Sequence, residues 1–234
     1  MKGFNELVNS LHQISGQWIL SHRSHDTGIG KTLEDLLGIP ENNFPGPNGE
    51  RVELKSMRRN SNSMMTLFTK APQPSSGTKE LLLRVGYPDS ESGERNVLHA
   101  DLYGNRMATI KSGHQVGLEI KDDYIGIIDE SQYNYCGWDY ATLNNSFEQK
   151  MHRVLLVRAD SRYRNGQEEF NYNEAWVLSN FSFERFITLI SHGIVKIEVR
   201  LGLYDNGALH DHGTAFRVHP DNLQDCFAYR DRIL

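Results

Sequence analysis

The sequence predicts an α+β fold in which a central mixed sheet is flanked by helices and carries inserted hairpins. Three observations lead to this prediction. Amphipathic stretches with helical spacing occur near both ends and in the middle of the chain. Between residues 96 and 129, short segments alternate apolar and polar residues as strands do, and glycines separate them. The 234 residues are enough for one large domain or two joined lobes.

The first third is predicted to contain two helices and two strands. Apolar residues recur at helical spacing over 4–17, and a second helix is expected over 31–37, ended by the glycine and proline of LGIP. RVELKSM then alternates apolar and charged residues like a strand, and SMMTLFTK (63–70) is interpreted as its neighbour.

The remaining elements are predicted from the same two periodicities. Helices are expected in TKELLLRVGY, at about 139–151, in SFERFITLISHG and in the closing segment NLQDCFAYRDRIL. HDHGTAFRV is interpreted as a loop that leads into a strand. The other predicted strands are NVLHADLYG, MATIK, QVGLEIK, YIGIID, RVLLVRAD, FNYNEAWVL and IVKIEVRLGLY.

Composition excludes several classes of protein. The formal net charge of −5 argues against a protein that coats nucleic acid through bulk positive charge, although a local basic surface remains possible. No apolar run approaches the roughly 20 residues of a membrane span, and the N-terminal stretch is not a secretory signal. Two cysteines, far apart, make neither a zinc site nor a disulfide framework, so we expect a cytoplasmic protein.

The segment TGIGKT (27–32) resembles the end of a nucleotide-binding loop, but the motif is incomplete. A phosphate-binding loop needs a glycine six positions before the lysine, and His25 occupies that position. The preceding residues, SHRSHD, are also not an apolar strand. The glycines are therefore expected to let a helix begin close to the sheet.

The strongest chemical signal is Glu53-Leu54-Lys55. Residues i and i+2 of a strand point to the same face, so the carboxylate and the amine project together. A carboxylate and a main-chain carbonyl suit Mg²⁺, and a nearby lysine can hold an attacking water. The alternative is an ordinary exposed ion pair. Three neighbouring features favour a functional site: an upstream helix that carries Glu34, a turn rich in Pro and Gly, and two arginines directly after the strand.

This arrangement resembles the PD-(D/E)xK nucleases, and more closely the MvaI/BcnI-type restriction endonucleases, to which the repair nickase MutH is related. The segments that carry the resemblance follow the same order and span much of the chain: TGIGKTLEDLL, ENN, VELK, TLFTKAP, LHADLYGNR and HDHGTAFRV. HDHGTAFR is long and unusual enough to be specific, whereas VELK alone is not.

The resemblance implies a Mg²⁺-dependent type II restriction endonuclease with a restriction-endonuclease-like core. Glu53, the Leu54 carbonyl and the residue at position 48 would hold the metal. Lys55 would position the nucleophile, and Glu34 would support the lysine or a water. The alternative for Glu34 is a solvated helix face.

Position 48 departs from the family, because Asn48 stands where the family has Asp. Its amide oxygen is uncharged and a poor Mg²⁺ ligand. Three explanations are open: an engineered Asp→Asn change, replacement of the missing carboxylate by Glu50, or a naturally inactivated nuclease. The first is favoured because every other segment of the pattern is kept.

Candidate DNA contacts come from position and from the resemblance. Two arginines that follow the VELK strand could bind phosphate: Arg58 and Arg59. The resemblance adds contacts to bases or backbone: Lys70, Arg106, His210, Asp211, His212 and Arg217. Each has a structural alternative. The lysine and arginines could be solvated charges, and the His-Asp-His group could be a metal site or a structural cluster.

The resemblance also implies a monomeric two-lobed clamp with a DNA cleft. The catalytic lobe is predicted over 1–95 plus part of 150–200, and the recognition lobe over 96–150 and 200–234. The implied partner is double-stranded DNA with a short CC…GG-framed site, nicked one strand at a time. A cognate DNA methyltransferase is expected in the same system, and no membrane is involved. The alternatives are a MutH-like nickase, an inactive sequence-specific DNA-binding protein and a small-molecule hydrolase.

Overall fold

The computed structural model describes residues 4–39, 52–89 and 95–234. The described helices are α1 (Phe4–Ile14), α2 (Gly28–Leu37), α3 (Ser75–Val85), α4 (Tyr140–Met151), α5 (Phe183–Ser191) and α6 (Leu223–Cys226), with a 3₁₀ turn at Pro220–Asn222 before α6. The described strands are β1 (Ile19–Leu20), β2 (Glu53–Arg58), β3 (Met65–Thr69), β4 (Asn96–Leu102), β5 (Ala108–Thr109), β6 (Gln115–Ile120), β7 (Tyr124–Asp129), β8 (Asn134–Asp139), β9 (Arg153–Arg164), β10 (Gln167–Ser179), β11 (Val195–Leu203), β12 (Leu209–Asp211), β13 (Ala215–Val218) and β14 (Tyr229–Arg232). The predicted α+β class is confirmed.

The chain divides into two compact units. The first comprises Met1–Ser63, Glu148–Phe181 and Gln224–Leu234, and the second comprises Met64–Phe147 and Ser182–Leu223. The predicted catalytic lobe extended from residue 1 to residue 95, whereas the segment 64–95 lies in the second unit. The C-terminal segment Gln224–Leu234 lies in the first unit. Which unit carries which function remains a prediction.

The first unit is built on a mixed sheet. Its strands lie in the order β1-β10-β9-β2, and β14 also pairs with β10. All of these pairs are antiparallel except β2 with β9, which is parallel. Helices α1 and α2 cover one face with fully buried leucines, which pack in one cluster with Leu54, Val157 and Tyr172 of the sheet. The odd residues of β2 therefore face away from this core.

The second unit contains two antiparallel sheets. One has the order β12-β11-β13-β3, with β4 paired to β11, and the other is the meander β5-β6-β7-β8. An aromatic group packs inside this unit, in which the rings of Phe68 and Phe216 stack with centroids 4.8 Å apart. Trp138 meets Phe216 edge-on, so β8 contributes to the core. Among the residues that the structure describes, no helix is long and apolar enough to cross a membrane.

Two sequence interpretations were wrong. Strand β3 is not the neighbour of β2, because β3 pairs with β13 and β2 pairs with β9. The closing segment is not one helix, because α6 ends at Cys226 and β14 then pairs with β10. In both cases the segment pairs with a strand that is distant in sequence, and local periodicity cannot predict such pairing.

The glycines of TGIGKT have different packing roles. The segment begins α2 at Gly28 instead of Lys31. A Cβ at Gly28 would lie 2.3 Å from the Arg23 carbonyl oxygen, which is too close for any side chain. A Cβ at Gly30 would lie 3.5 Å from Oγ of Ser56, which is an ordinary contact. The helix start thus packs against its preceding loop at Gly28 and against β2 at Gly30.

We expect Gly28→Ala to lower the free energy of unfolding by about 1–3 kcal/mol, because the Arg23 backbone must move. Gly30→Ala is the matched control and should be neutral or stabilising by up to about 1 kcal/mol, since alanine favours helix. Urea unfolding of both variants measures the difference. Equal losses in the two variants would contradict the packing described for Gly28.

Candidate active site

Glu53 and Lys55 lie together on the outward face of β2, as their spacing predicts. Nζ of Lys55 is 3.1 Å from Oε1 of Glu53. The Glu53 side chain is only 8% exposed and that of Lys55 17%, so the pair is largely withdrawn from solvent. Leu54 between them is buried in the core of the first unit. The carboxylate and amine therefore form one group, which differs from the exposed ion pair that was the alternative.

A second lysine, which the sequence reasoning missed, joins this group. Nζ of Lys150 is 3.1 Å from Oε2 of Glu53, so each carboxylate oxygen has its own ammonium partner. Lys150 lies in the last turn of α4, 97 residues from Glu53. No local pattern could have revealed this contact, because it depends on where α4 ends relative to β2.

Glu34 lies on α2, which packs against β2, and its side chain is half-buried. The half-burial argues against a fully solvated helix face. Its predicted support of Lys55 remains a prediction. The next residue of α2, Asp35, pairs with Lys31 at 3.1 Å and with His22 at 2.9 Å.

The donor atoms at Glu53 suit a hard divalent cation in kind. The Glu53 carboxylate and the Leu54 carbonyl are oxygen donors, and Mg²⁺ is commonly held by one or two carboxylates with several waters. Within residues 4–39, 52–89 and 95–234, no three His, Cys, Asp or Glu side chains are grouped to hold a metal. A fuller ligand set needs position 48, and Asn48 lies outside the described residues.

Arg58, predicted to bind phosphate, forms an internal ion pair. Its Nε and Nη2 donate to the two carboxylate oxygens of Glu168 at 2.7 and 2.8 Å. The guanidinium also lies 5.4 Å from the centre of the Phe170 ring. Hydrogen bonding to Glu168 raises the pKa of Arg58 above its usual value. This arginine braces β2 against β10, and its DNA contact remains a prediction.

Arg59 is held by three partners on β9 and β10. It donates to Asp160 through Nε at 2.9 Å and to Asn173 through Nη2 at 2.5 Å, and its Nη1 contacts Glu174. The register of β9 and β10 shifts between Tyr172 and Glu174, beside these contacts. Arg58 and Arg59, for which the sequence suggested phosphate contacts or solvated charges, are thus both held by acidic residues far along the chain.

The HDHGTAFR segment spans β12, a turn and β13 in the second unit. Nδ1 of His210 is 2.7 Å from the Tyr204 hydroxyl, and the two rings stack. The ring centroids of His210 and His212 are 3.9 Å apart. The two histidines therefore form an aromatic group with Tyr204. Their roles in DNA binding are still predictions.

Asp211 organises the turn between the two strands. Its Oδ1 accepts hydrogen bonds from the main-chain N–H groups of Gly213 and Thr214, both at 2.8 Å. The Thr214 hydroxyl also donates to the carboxylate. These bonds give Asp211 a structural role in the turn, and its DNA contact remains a prediction.

Arg217 is half-buried on β13. It donates through Nη1 to Glu198 at 2.6 Å and through Nη2 to the Met64 carbonyl at 3.0 Å. These bonds fix the plane of the guanidinium on the face of the sheet. To recognise guanine, Arg217 would need N–H groups other than those that already donate to Glu198 and Met64.

Lys70 and Arg106 lie elsewhere in the second unit. The Lys70 main chain accepts a hydrogen bond from Nε1 of Trp138 at 3.0 Å and donates one to Thr214 at 3.0 Å. This ties Lys70 to the HDHGTAFR turn. Arg106 is exposed and lies over the Tyr103 ring at 3.7 Å.

Comparison with known proteins shows which family the chain belongs to. The model of the MvaI/BcnI restriction endonuclease family matches residues 8–227, which is nearly the whole chain. The chain belongs to the MvaI/BcnI restriction endonuclease family. It is accordingly a site-specific deoxyribonuclease of the type II restriction class. Membership of this family also implies dependence on a divalent metal.

Solved structures agree with the family. The chain resembles restriction endonuclease MvaI in a complex with its cognate DNA substrate, with a TM-score of 0.86 and 28% sequence identity over 98% of each chain. It also resembles MvaI in the absence of DNA, with a TM-score of 0.61 and 29% identity over 100% of this chain and 98% of the other. The comparison with curated proteins gave no match.

Proposed function

We propose that this MvaI/BcnI-family chain is a Mg²⁺-dependent enzyme that cuts double-stranded DNA at a short, nearly palindromic site framed by CC and GG. It would act as a monomer in the cytoplasm, nick one strand at a time and work beside a cognate methyltransferase. The observation that carries the proposal is the Glu53–Lys55 pair, 3.1 Å apart on one strand face of a chain that matches the family. The similarity to MvaI bound to its cognate DNA supports DNA as the partner.

In the proposed mechanism, Glu53, the Leu54 carbonyl and residue 48 would hold the cation, and the cation would supply Lewis-acid stabilisation of the phosphoryl oxygens. Lys55 donates a hydrogen bond to the attacking water and orients it for in-line attack at phosphorus. Its ammonium also offsets the negative charge that develops on the phosphate. Glu34, on the adjacent helix, orients Lys55 or a water.

We assign catalysis to the unit that contains Glu53 and Lys55, and sequence reading to the unit that contains HDHGTAFR. The aromatic group of His210 and His212 supports this assignment, since imidazoles both donate to and accept from base edges. Arg217, Lys70 and Arg106 would contact bases or backbone in the same unit. Arg58 and Arg59 would approach phosphate from the catalytic unit, sharing their donors with the acidic residues of β9 and β10.

An inactive sequence-specific DNA-binding protein is the second candidate, because Asn48 replaces the expected metal-binding carboxylate. Such a protein would bind its site tightly and fail to cut it, even after Asn48→Asp. A MutH-like nickase is the third candidate, and it would need a partner protein for full activity on a defined duplex.

The test is digestion of methylation-free genomic DNA with Mg²⁺ by the chain and by its Asn48→Asp variant, followed by sequencing of the ends. We expect the variant to give discrete ends at one short motif with a CC…GG frame. Ends scattered over all sequences would contradict site-specific cleavage. Uncut DNA with both proteins would favour the inactive DNA-binding protein.

A further inference from the structure

The mechanism above uses one of the two lysines that contact Glu53. Lys150 makes a contact with Oε2 as short as the one that Lys55 makes with Oε1, both at 3.1 Å. Its side chain is 19% exposed, nearly as withdrawn from solvent as that of Lys55. Lys150 therefore belongs to the same half-buried group, although it comes from a helix distant in sequence.

Among the side chains of Glu53, Lys55 and Lys150, the positive charges outnumber the negative charge. One carboxylate faces two ammonium groups, so the three side chains carry a net charge of +1 when the lysines are protonated. A divalent cation at Glu53 would use the same oxygen lone pairs that the ammonium groups now use. It would also be repelled by both positive charges, and this repulsion is weakly screened where exposure is low.

We infer that Lys150 is a positioning residue that competes with the divalent cation for Oε2 of Glu53 and so weakens cation binding at the catalytic site. The inference rests on the proposed function, because it takes Glu53 to be a metal ligand. Lys150 acts through Glu53 in this account, whereas Lys55 is the group that would meet the nucleophile. The two lysines thus make similar contacts with Glu53, but we assign them different roles.

The experiment is a titration with Mn²⁺ as the probe, read by electron paramagnetic resonance on the full chain without DNA. Lys150→Gln and Lys150→Met remove the charge and shorten the side chain by only one atom, whereas Lys150→Arg keeps the charge. We expect both neutral variants to bind Mn²⁺ at least about tenfold more tightly, the effect of one charge beside a ligand. Lys150→Arg should stay within about twofold of the parent.

Lys121→Gln is the matched control, because Lys121 makes an ion pair of the same length, 3.1 Å, with Glu119 in the other unit. Its Mn²⁺ affinity should equal that of the parent. Thermal unfolding of every variant verifies that it is folded. A purely structural ion pair at Lys150 would change the unfolding temperature and leave the Mn²⁺ affinity unchanged.

Glu53→Gln separates this inference from the proposed function. If Glu53→Gln loses Mn²⁺ binding while the neutral Lys150 variants bind like the parent, the competition is refuted and the metal site stands. If Glu53→Gln binds Mn²⁺ as the parent does, the metal assignment itself is wrong. The titrations are repeated with Asn48→Asp, and the absence of Mn²⁺ binding in both backgrounds would overturn the inference together with the metal site.

Discussion

Glu53→Gln, made in the Asn48→Asp variant, is expected to reduce the single-turnover rate of DNA cleavage by roughly a thousandfold. The change removes the Glu53 carboxylate, whose two oxygens lie 3.1 Å from Lys55 and from Lys150, and an amide is a poor ligand for Mg²⁺. DNA binding should be retained or become tighter, since the change removes a negative charge near the phosphate backbone. Cleavage of a plasmid with one site and a gel-shift titration of the same site measure the two effects.

The control is Glu119→Gln, which neutralises a glutamate of the second unit that also pairs with a lysine at 3.1 Å. It should leave the cleavage rate within about twofold of its parent. Thermal unfolding is needed for Glu53→Gln, because the change leaves two partly buried ammonium groups without their carboxylate. A folded Glu53→Gln variant that cuts at the parent rate would exclude Glu53 from catalysis.

Asn48→Asp is expected to raise the rate of Mg²⁺-dependent cleavage by about a hundredfold or more. The change adds a second negative oxygen ligand to a site where Glu53 supplies the first, and Mg²⁺ strongly prefers charged oxygen donors. The required Mg²⁺ concentration should fall at the same time. Single-turnover cleavage over a range of Mg²⁺ concentrations measures both quantities.

Asn48→Ala serves as the comparison for this prediction, since it alters the same position without adding charge. It should cut no faster than the parent chain. Equal rates for Asn48→Asp and the parent would remove position 48 from the metal site, and they would leave Glu50 as the remaining explanation drawn from the sequence.

The local elements could be predicted from the sequence because their periodicity is local. The amphipathic patterns of α1 and α5 and the alternation of β2 and β11 correspond to described elements. Strand pairing was not predictable in the same way. SMMTLFTK follows RVELKSM closely, yet β3 pairs with β13 and β2 with β9, in different sheets.

In the candidate site, too, the contact between residues close in sequence could be predicted, and the contacts between distant residues could not. The spacing of Glu53 and Lys55 on a strand indicated that their side chains would meet, and the structure confirms that they do. Lys150 could not be found from the sequence, because its contact joins the end of a helix to a strand 97 residues away. For the same reason, the sequence did not show that Glu168 and Asp160 hold Arg58 and Arg59.

The most direct measurement is a crystal structure of the chain with a duplex that carries its cleavage site and with Ca²⁺ in place of Mg²⁺. We predict a cation about 2.3–2.6 Å from a Glu53 carboxylate oxygen and from the Leu54 carbonyl, with Nζ of Lys55 beside the scissile phosphate. A duplex bound with its phosphates away from Glu53, or a cation held by other residues, would contradict it.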